Sequence, residues 1–222
     1  MLVKDYMTRH PIMIGPEKRV IEAQQMMIEN KVRHLPVVGD GKKLLGLVNR
    51  ERLNIPPDKL GSLEVWEITR YLSDLTVDKV MLKAKELQVI GPDATLEEAA
   101  ELMKQHKLNG LTVVEDGMVV GIITQTDLFV ELQELLGATD PGWRVMMRIP
   151  ARKGEYAKLT TAISDKGWSI MAMGSVRTPK DPAHWDMILK VTDCTKDELM
   201  ALLESIEDHQ VVDVRETTVY SS

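Results

Sequence analysis

The sequence predicts a chain of mixed α/β and α+β class: two related β-α-β-β-α repeats, then a separate β-α-β-β-α-β sheet domain. Three observations predict it. Residues 13–53 and 89–128 align as copies of one another, with one extra residue in the first copy at its hairpin. Each copy runs from a short apolar segment through Gly-Pro, a helical period, an apolar strand, an Asp-Gly turn and a second strand to a polar helix start. Beyond the loop signal "GATDPGW" (137–143), strand and helix periods follow in the order β-α-β-β-α-β.

In the first copy Val20, Ala23 and Met27 recur at helical spacing, and Leu96, Ala99 and Met103 occupy the aligned positions of the second. Both triplets should face a core. The strands Leu35–Val38 and Leu111–Val114 are followed by Asp40-Gly41 and Asp116-Gly117, pairs suited to hairpins with positive φ. "GLVNRER" (46–52) and "GIITQTD" (121–127) then end a strand and start a helix. A unit of about fifty residues buries too little surface alone, so the copies should pack face to face about a pseudo-twofold axis, creating two related clefts. Between them, Pro56-Pro57 breaks the chain before a helix expected from about Ser62 to Asp74, with Trp66 as a core or dimer anchor. The expected divisions are repeat one at 1–60, a linker helix at 61–76, repeat two at 77–138 and a last domain at 143–217.

In that last domain "WRVMMRIPA" reads as a strand and "EYAKLTTAISDKG" as a helix with Tyr156, Leu159 and Ile163 on one face. "SIMAMGSVRT" and "WDMILKVT" read as paired strands. "TKDELMALLESIEDH" reads as a helix with a stripe of Leu199, Leu202, Leu203 and Ile206, and "VVDVRETTV" as the closing strand. This order implies a split-βαβ, ferredoxin-like sheet with both helices on one face.

Composition narrows the function. With 44% hydrophobic and 28% charged residues over 222 positions, the chain reads as soluble and globular. The lone Cys194 fits a reducing, cytoplasmic setting and rules out an internal disulfide framework. No apolar run approaches a membrane span, and the charged start "MLVKDYMTRHP" is not a signal peptide. A net charge of −6 weighs against nucleic acid as the main partner. His10, His34, His106, His184 and His209 show no metal-ligand spacing, so no metal site is expected. "GDGKKLLG" (39–46) lacks phosphate-loop spacing, and no acid, base or nucleophile constellation points to an enzyme.

Residues 1–136 resemble a pair of CBS domains, a Bateman module. The resemblance is carried by "RHLPVV" (33–38) and "NGLTVV" (109–114), each followed by an Asp-Gly hairpin and then by "GLVNRER" or "GIITQTD". The family's ligand signature is Gly, two roughly apolar positions, Ser or Thr, two variable residues and Asp. The second copy matches it, while the first has Asn49 and Arg52 at the two chemical positions. The resemblance implies an adenosine-containing ligand, AMP, ADP, ATP or S-adenosylmethionine, in a cleft between the copies, and no required cofactor. Asp127 would accept from the ribose hydroxyls and Thr124 would face the ribose or first phosphate. Ile12, Val32, Arg33 and His34 would wall the adenine, with His10 on the entering segment. Thr124 and Asp127 equally fit a helix capping box, and the two roles can coexist. The other cleft would pair Asn49 and Arg52 with Leu108, Asn109 and Gly110. Arg52 cannot accept from hydroxyls, so that cleft should be empty or hold an anion. With Arg33, His34 and the neighbouring Arg9 or His10 as the only cations counted, a ligand with few phosphates ranks ahead of ATP.

Residues 143–217 resemble an ACT domain through "IPARKGEYAKLTTAISDKGWSI" (149–170), with Tyr156 where an aliphatic residue is commoner. The resemblance implies side-by-side pairing and an amino-acid site at Arg152, Lys153, Gly154 and Glu155. The alternative is that Gly154 only permits a turn and Glu155 favours a helix start. Two CBS copies and one ACT domain together resemble the acetoin-utilisation AcuB-type regulatory proteins. Two functions follow: a homodimeric sensor of an adenosine-containing metabolite, or a non-sensing scaffold that binds a partner enzyme through its CBS or ACT surfaces.

Overall fold

The computed structural model of the chain describes residues 1–53 and 74–217 and divides into two compact units, Met1–Leu128 and Phe129–Ser222. The Pro56-Pro57 break and the helix expected from about Ser62 to Asp74, with Trp66, fall on residues 54–73, apart from Asp74, and so lie outside the described residues. Among the described residues no helix is long and apolar enough to cross a membrane.

In the first unit the strands are β1 (Thr8–Arg9), β2 (His34–Val38), β3 (Leu44–Asn49), β4 (Leu82–Lys83), β5 (Val89–Ile90), β6 (Gly110–Glu115) and β7 (Met118–Thr124). They form two sheets, ordered β1-β7-β6-β5 and β2-β3-β4. Ile14 bridges Val37 in parallel as Ile90 pairs with Val113, so the two sheets carry the same pattern. The helices Val20–Glu29 and Leu96–His106 bury Val20, Ala23 and Met27 in one core and Leu96, Ala99 and Met103 in the other, as the repeat predicts.

The two copies exchange their entering segments. Val3 is fully buried in the core of the second copy, and Val77 in the core of the first. Burying a side chain of this kind contributes about 1.5 kcal/mol. The Val3 and Lys4 amides donate to the Ala94 and Pro92 carbonyls (2.8 and 2.9 Å), and the Val77 and Asp78 amides donate to those of Lys18 and Pro16 (2.8 and 3.0 Å). Every bond of one set thus has its counterpart in the other. β1 pairs with β7 and β4 with β3, each entering strand closing the sheet of the opposite copy.

The hairpins differ by one residue. In the second copy Asp116 and Gly117 both take positive φ (50° and 80°), as predicted. In the first copy the positive pair is Gly41 and Lys42 (66° and 64°), because the extra residue makes a three-residue 3-10 turn at Asp40–Lys42. The expectation of positive φ at Asp40 is corrected accordingly.

The second unit holds β8 (Trp143–Pro150), β9 (Ser169–Arg177), β10 (His184–Thr192) and β11 (Gln210–Glu216), with helices Glu155–Ser164 and Lys196–Glu204. The order is β11-β8-β10-β9, antiparallel throughout. Alternate residues Val145, Met147 and Ile149 of β8 and Met187, Leu189 and Val191 of β10 share one core with Leu159, Ile163, Leu199 and Leu203. Both helices therefore cover the same sheet face. The helix Lys196–Glu204 starts at a reciprocal cap between Thr195 and Glu198. Tyr156 shares the helix face of the buried Leu159 and Ile163 but is itself 38% exposed: its hydroxyl donates to Ser175 Oγ at 2.8 Å, and its ring meets Trp185 edge-on at 6.1 Å. The phenol keeps its hydroxyl in reach of a polar partner rather than entering an all-aliphatic core. On the opposite face, buried Asp186 takes two bonds from Arg148 (2.8 and 3.3 Å) and one from the Thr178 hydroxyl (3.0 Å).

Candidate functional site

A cavity of about 600 Å³ lies between the two copies of the first unit. The exchange of entering segments builds it. Pairing of Thr8 with Ile122 brings the chain at His10 and Ile12 across the end of β7, beside the start of helix Gln125–Leu135. The first copy adds the segment Lys31–His34 between its helix and β2. All seven residues expected to surround a nucleotide, His10, Ile12, Val32, Arg33, His34, Thr124 and Asp127, line this one space. The size falls within the usual range for small-molecule sites, about 300–1,000 Å³.

Thr124 and Asp127 also form the capping box. Asp127 Oδ2 accepts from the Thr124 amide and from the Thr124 hydroxyl, both at 2.7 Å, while the Asp127 amide points back to Thr124 Oγ1 at 3.5 Å. Both strong bonds fall on Oδ2. They orient the carboxylate and leave Oδ1 outside the cap, so cap and ligand acceptor are compatible roles for one side chain. In the first copy only half of this survives: Asn49 Oδ1 accepts from the Arg52 amide at 3.0 Å, and Arg52 supplies no returning acceptor. The other three residues expected in a second cleft are placed near the second copy's helix start. The Leu108 carbonyl accepts from Gln125 Nε2 (3.0 Å), the Asn109 carbonyl accepts from the Gln125 amide (3.1 Å), and Asn109 itself lines the first cavity. A Cβ added at Gly110 would stand 3.5 Å from the His34 ring.

Two features escaped the sequence. Lys31 lines the cavity, held at φ +54° just past the end of helix Val20–Glu29, and Lys107 holds the aligned position with the same φ. The signal was present in the repeat alignment, since the residue after a helix C-cap often takes left-handed φ. His10 is also left-handed (φ 50°), an arrangement that costs a non-glycine residue roughly 1–3 kcal/mol and has no counterpart at the aligned Ala84. Arg9, by contrast, donates to the Lys4 carbonyl at 3.0 Å and is not on the cavity wall.

Burial pushes the His34 imidazole below the ordinary histidine range; the Arg33 charge acts in the same direction and Glu51 opposes it. The unfolded chain therefore takes up this proton first as pH falls. The His34 contribution to stability is intact above the ordinary value of about 6.5 and is lost as pH drops through the lowered folded value. His34→Gln is expected to flatten the fall in stability on acidification from about pH 6.5 down to the lowered folded value, measured as urea midpoints across a pH series. An unchanged slope would show that other groups carry it.

In the second unit the loop Arg152–Glu155 is divided in its roles. Arg152, Lys153 and Gly154 line a cavity of about 410 Å³ with Tyr156 and Trp185. Glu155 turns inward, 6% exposed, accepting from Arg152 Nε at 2.5 Å and lying 2.7 Å from His209 Nε2. Arg152 also reaches Asp208 at 2.7 Å. The Arg152 bond, then the His209 contact, hold the Glu155 carboxyl below its usual range. Gly154 takes φ +92° at the helix N-cap, as the turn-and-helix-start alternative requires.

The CBS domain model matches residues 3–54 and 77–134. The uncharacterized protein MJ1426 of Methanocaldococcus jannaschii is 31% identical over 157 residues, which is 60% of this chain and 91% of that protein. The chain belongs to the CBS-domain family. Among solved structures, a putative acetoin utilization protein (AcuB) from Vibrio cholerae is 31% identical, with a TM-score of 0.50, covering 61% of this chain and 94% of that one. The inosine-5'-monophosphate dehydrogenase of Korarchaeum cryptofilum is 32% identical over 127 residues, 57% of this chain. The chain spans only 23% of that enzyme's length.

Proposed function

We propose that this chain is a ligand-sensing regulatory protein that binds an adenosine-containing metabolite, from the group AMP, ADP, ATP and S-adenosylmethionine, in the cavity between its CBS copies. The observation that carries the proposal is the convergence on one cavity of seven residues drawn from three separate stretches of sequence. In this reading Asp127 Oδ1 accepts from a vicinal diol while Oδ2 stays with the cap, and Lys31, Arg33 and His34 face the anionic end. Val32 and Ile12 supply apolar walls for the base. The altered pair Asn49 and Arg52 leaves the related cleft without such an acceptor.

The second unit acts in this reading as an ACT domain that joins two chains in a homodimer and relays ligand binding to a partner enzyme in the cytoplasm. Its strand order, with β8 between β11 and β10, supports the ferredoxin-like assignment. The acetoin-utilization description of the Vibrio cholerae relative supports an AcuB-type role. Regulation requires the ligand to favour one of two arrangements, because equal affinity shifts nothing. The inward turn of Glu155 removes the acid that an amino ligand would pair with, so this loop serves structure before amino-acid binding. One observation favours the scaffold alternative: Met171, Met173 and Val176 of β9 are 55, 46 and 58% exposed along a sheet edge, apolar surface suited to a protein partner.

Thermal unfolding with a panel of AMP, ADP, ATP, S-adenosylmethionine and cyclic dinucleotides separates the two. A sensor shows a ligand-dependent rise in midpoint that Asp127→Ala abolishes. Asp127→Asn keeps an acceptor for the Thr124 amide and controls for lost capping, worth about 1 kcal/mol. A scaffold shows no rise with any of these compounds.

A further inference from the structure

We propose that the ligand is an adenosine 5′-polyphosphate, whose anionic arm leaves the adenosine cavity across Lys31–Arg33 and ends at Arg50. This rests on the adenosine reading above and adds the class of ligand. A second cavity of about 370 Å³ adjoins the segment Lys31–Arg33 in the first copy. Lys31, Val32 and Arg33 line both spaces, so they form a rim common to the two. Arg50, the first residue of the helix that follows β3, lines the second space only.

The charge at this rim is one-sided. Lys31, Arg33 and Arg50 are all exposed, and among the described residues none of them is held in an ion pair. Among the described residues no carboxylate lines the second cavity, and the one amide there, Gln24, donates to the Leu53 carbonyl at 3.0 Å. Three unpaired cations held close together repel one another, and they stand on a chain whose net charge is −6. A run of phosphates relieves that repulsion, since a lysine supplies a compact charge and each arginine a fork of donors matched to phosphate oxygens. A single phosphate joined to a ribose at Asp127 can be met by Lys31 and Arg33 within the first cavity. Only a longer arm gives Arg50 a partner. The ranking of ligands with few phosphates ahead of ATP, drawn from sequence, counted neither Lys31 nor Arg50.

Calorimetry on the full chain with adenosine, AMP, ADP, ATP and inorganic tripolyphosphate tests this. Affinity is expected to rise at least about tenfold from AMP to ATP, and Arg50→Ala should remove most of that gain while leaving AMP unchanged. Arg50→Lys should retain part of it, and thermal midpoints of both variants check that they fold. Equal affinity for AMP and ATP, or equal losses of both in Arg50→Ala, overturns the polyphosphate arm and leaves the adenosine reading standing. Tripolyphosphate binding as tightly as ATP overturns the single-ligand path in favour of a separate anion site. Binding of none of the adenosine compounds overturns the underlying reading itself.

Discussion

Gly46→Ala is expected to destabilise the first unit by about 2 kcal/mol, roughly twice the cost of the equivalent Gly121→Ala. Both glycines open the repeated motif, and in both copies they face the entering segment of the other. A Cβ at Gly46 would collide with the Leu82 carbonyl oxygen and come within 2.7 Å of Met81 Sδ. The carbonyl belongs to β4, fixed by the pairing of Gly46 with Lys83 and of Leu47 with Leu82, so it cannot give way without opening the ladder. The three atoms nearest a Cβ at Gly121 all belong to the Met7 side chain, Sδ together with Cγ at 3.0 Å and Cε at 3.2 Å. A methionine with three rotatable bonds can swing aside. The ligand responses should run the other way. Met7 precedes Thr8, which lines the cavity, whereas Leu82 and Lys83 do not. Gly121→Ala should therefore weaken nucleotide binding more than Gly46→Ala does, while costing less in urea midpoint. Equal midpoints, or an unaltered affinity in Gly121→Ala, would show that the two crossings are equally soft and that Thr8 does not depend on Met7.

These glycines show where sequence was informative and where it was not. The repeat was legible because each copy needs the same buried positions: Ala23 and Ala99, or Leu35 and Leu111, occupy matching places in the two cores. The destination of the entering segments was not legible. Val3 and Val77 look alike, and the apolar pattern says that each must be buried without saying in which copy. The motif glycine was likewise read as part of a ligand signature, whereas its close neighbours are the crossing strand and methionine. At the cavity, Asp127 stood out because a carboxylate replaces arginine between two otherwise related motifs. Lys31 and Arg50 carried no such contrast. A lysine after a helix and an arginine at a helix start are ordinary surface residues, and only folding sets Arg50 beside the rim that Lys31 helps to form. In the last domain the order of elements was legible from alternating periods. The exposure of Tyr156 was not legible, because helical spacing puts it on one face with Leu159 and Ile163 without saying which of the three reaches the core.

Leu159→Ala is expected to destabilise the second unit by about 3 kcal/mol, since the side chain is fully buried between the helix Glu155–Ser164 and the sheet. Three of the chain's four tryptophans, Trp143, Trp168 and Trp185, belong to this unit and pack against the same core, so the fluorescence reports mainly its unfolding. The variant also tests the relay. If nucleotide binding in the first unit is coupled to the state of the second, the ligand must raise the tryptophan-reported midpoint of the wild-type chain. By reciprocity, a variant that leaves an appreciable fraction of the second unit unfolded must then bind nucleotide more weakly. The expected outcome is a ligand-dependent rise in midpoint and, at temperatures near the variant's own midpoint, a weaker nucleotide affinity in Leu159→Ala, with the Asp127 cavity itself untouched by substitution. A variant that loses stability but binds nucleotide as the wild type does, with no ligand effect on the tryptophan signal, would reduce the chain to a binding module joined to an independent assembly domain. Such a result would remove the relay while leaving the ligand assignment intact, because Lys31, Arg33, Arg50 and Asp127 all belong to the first unit.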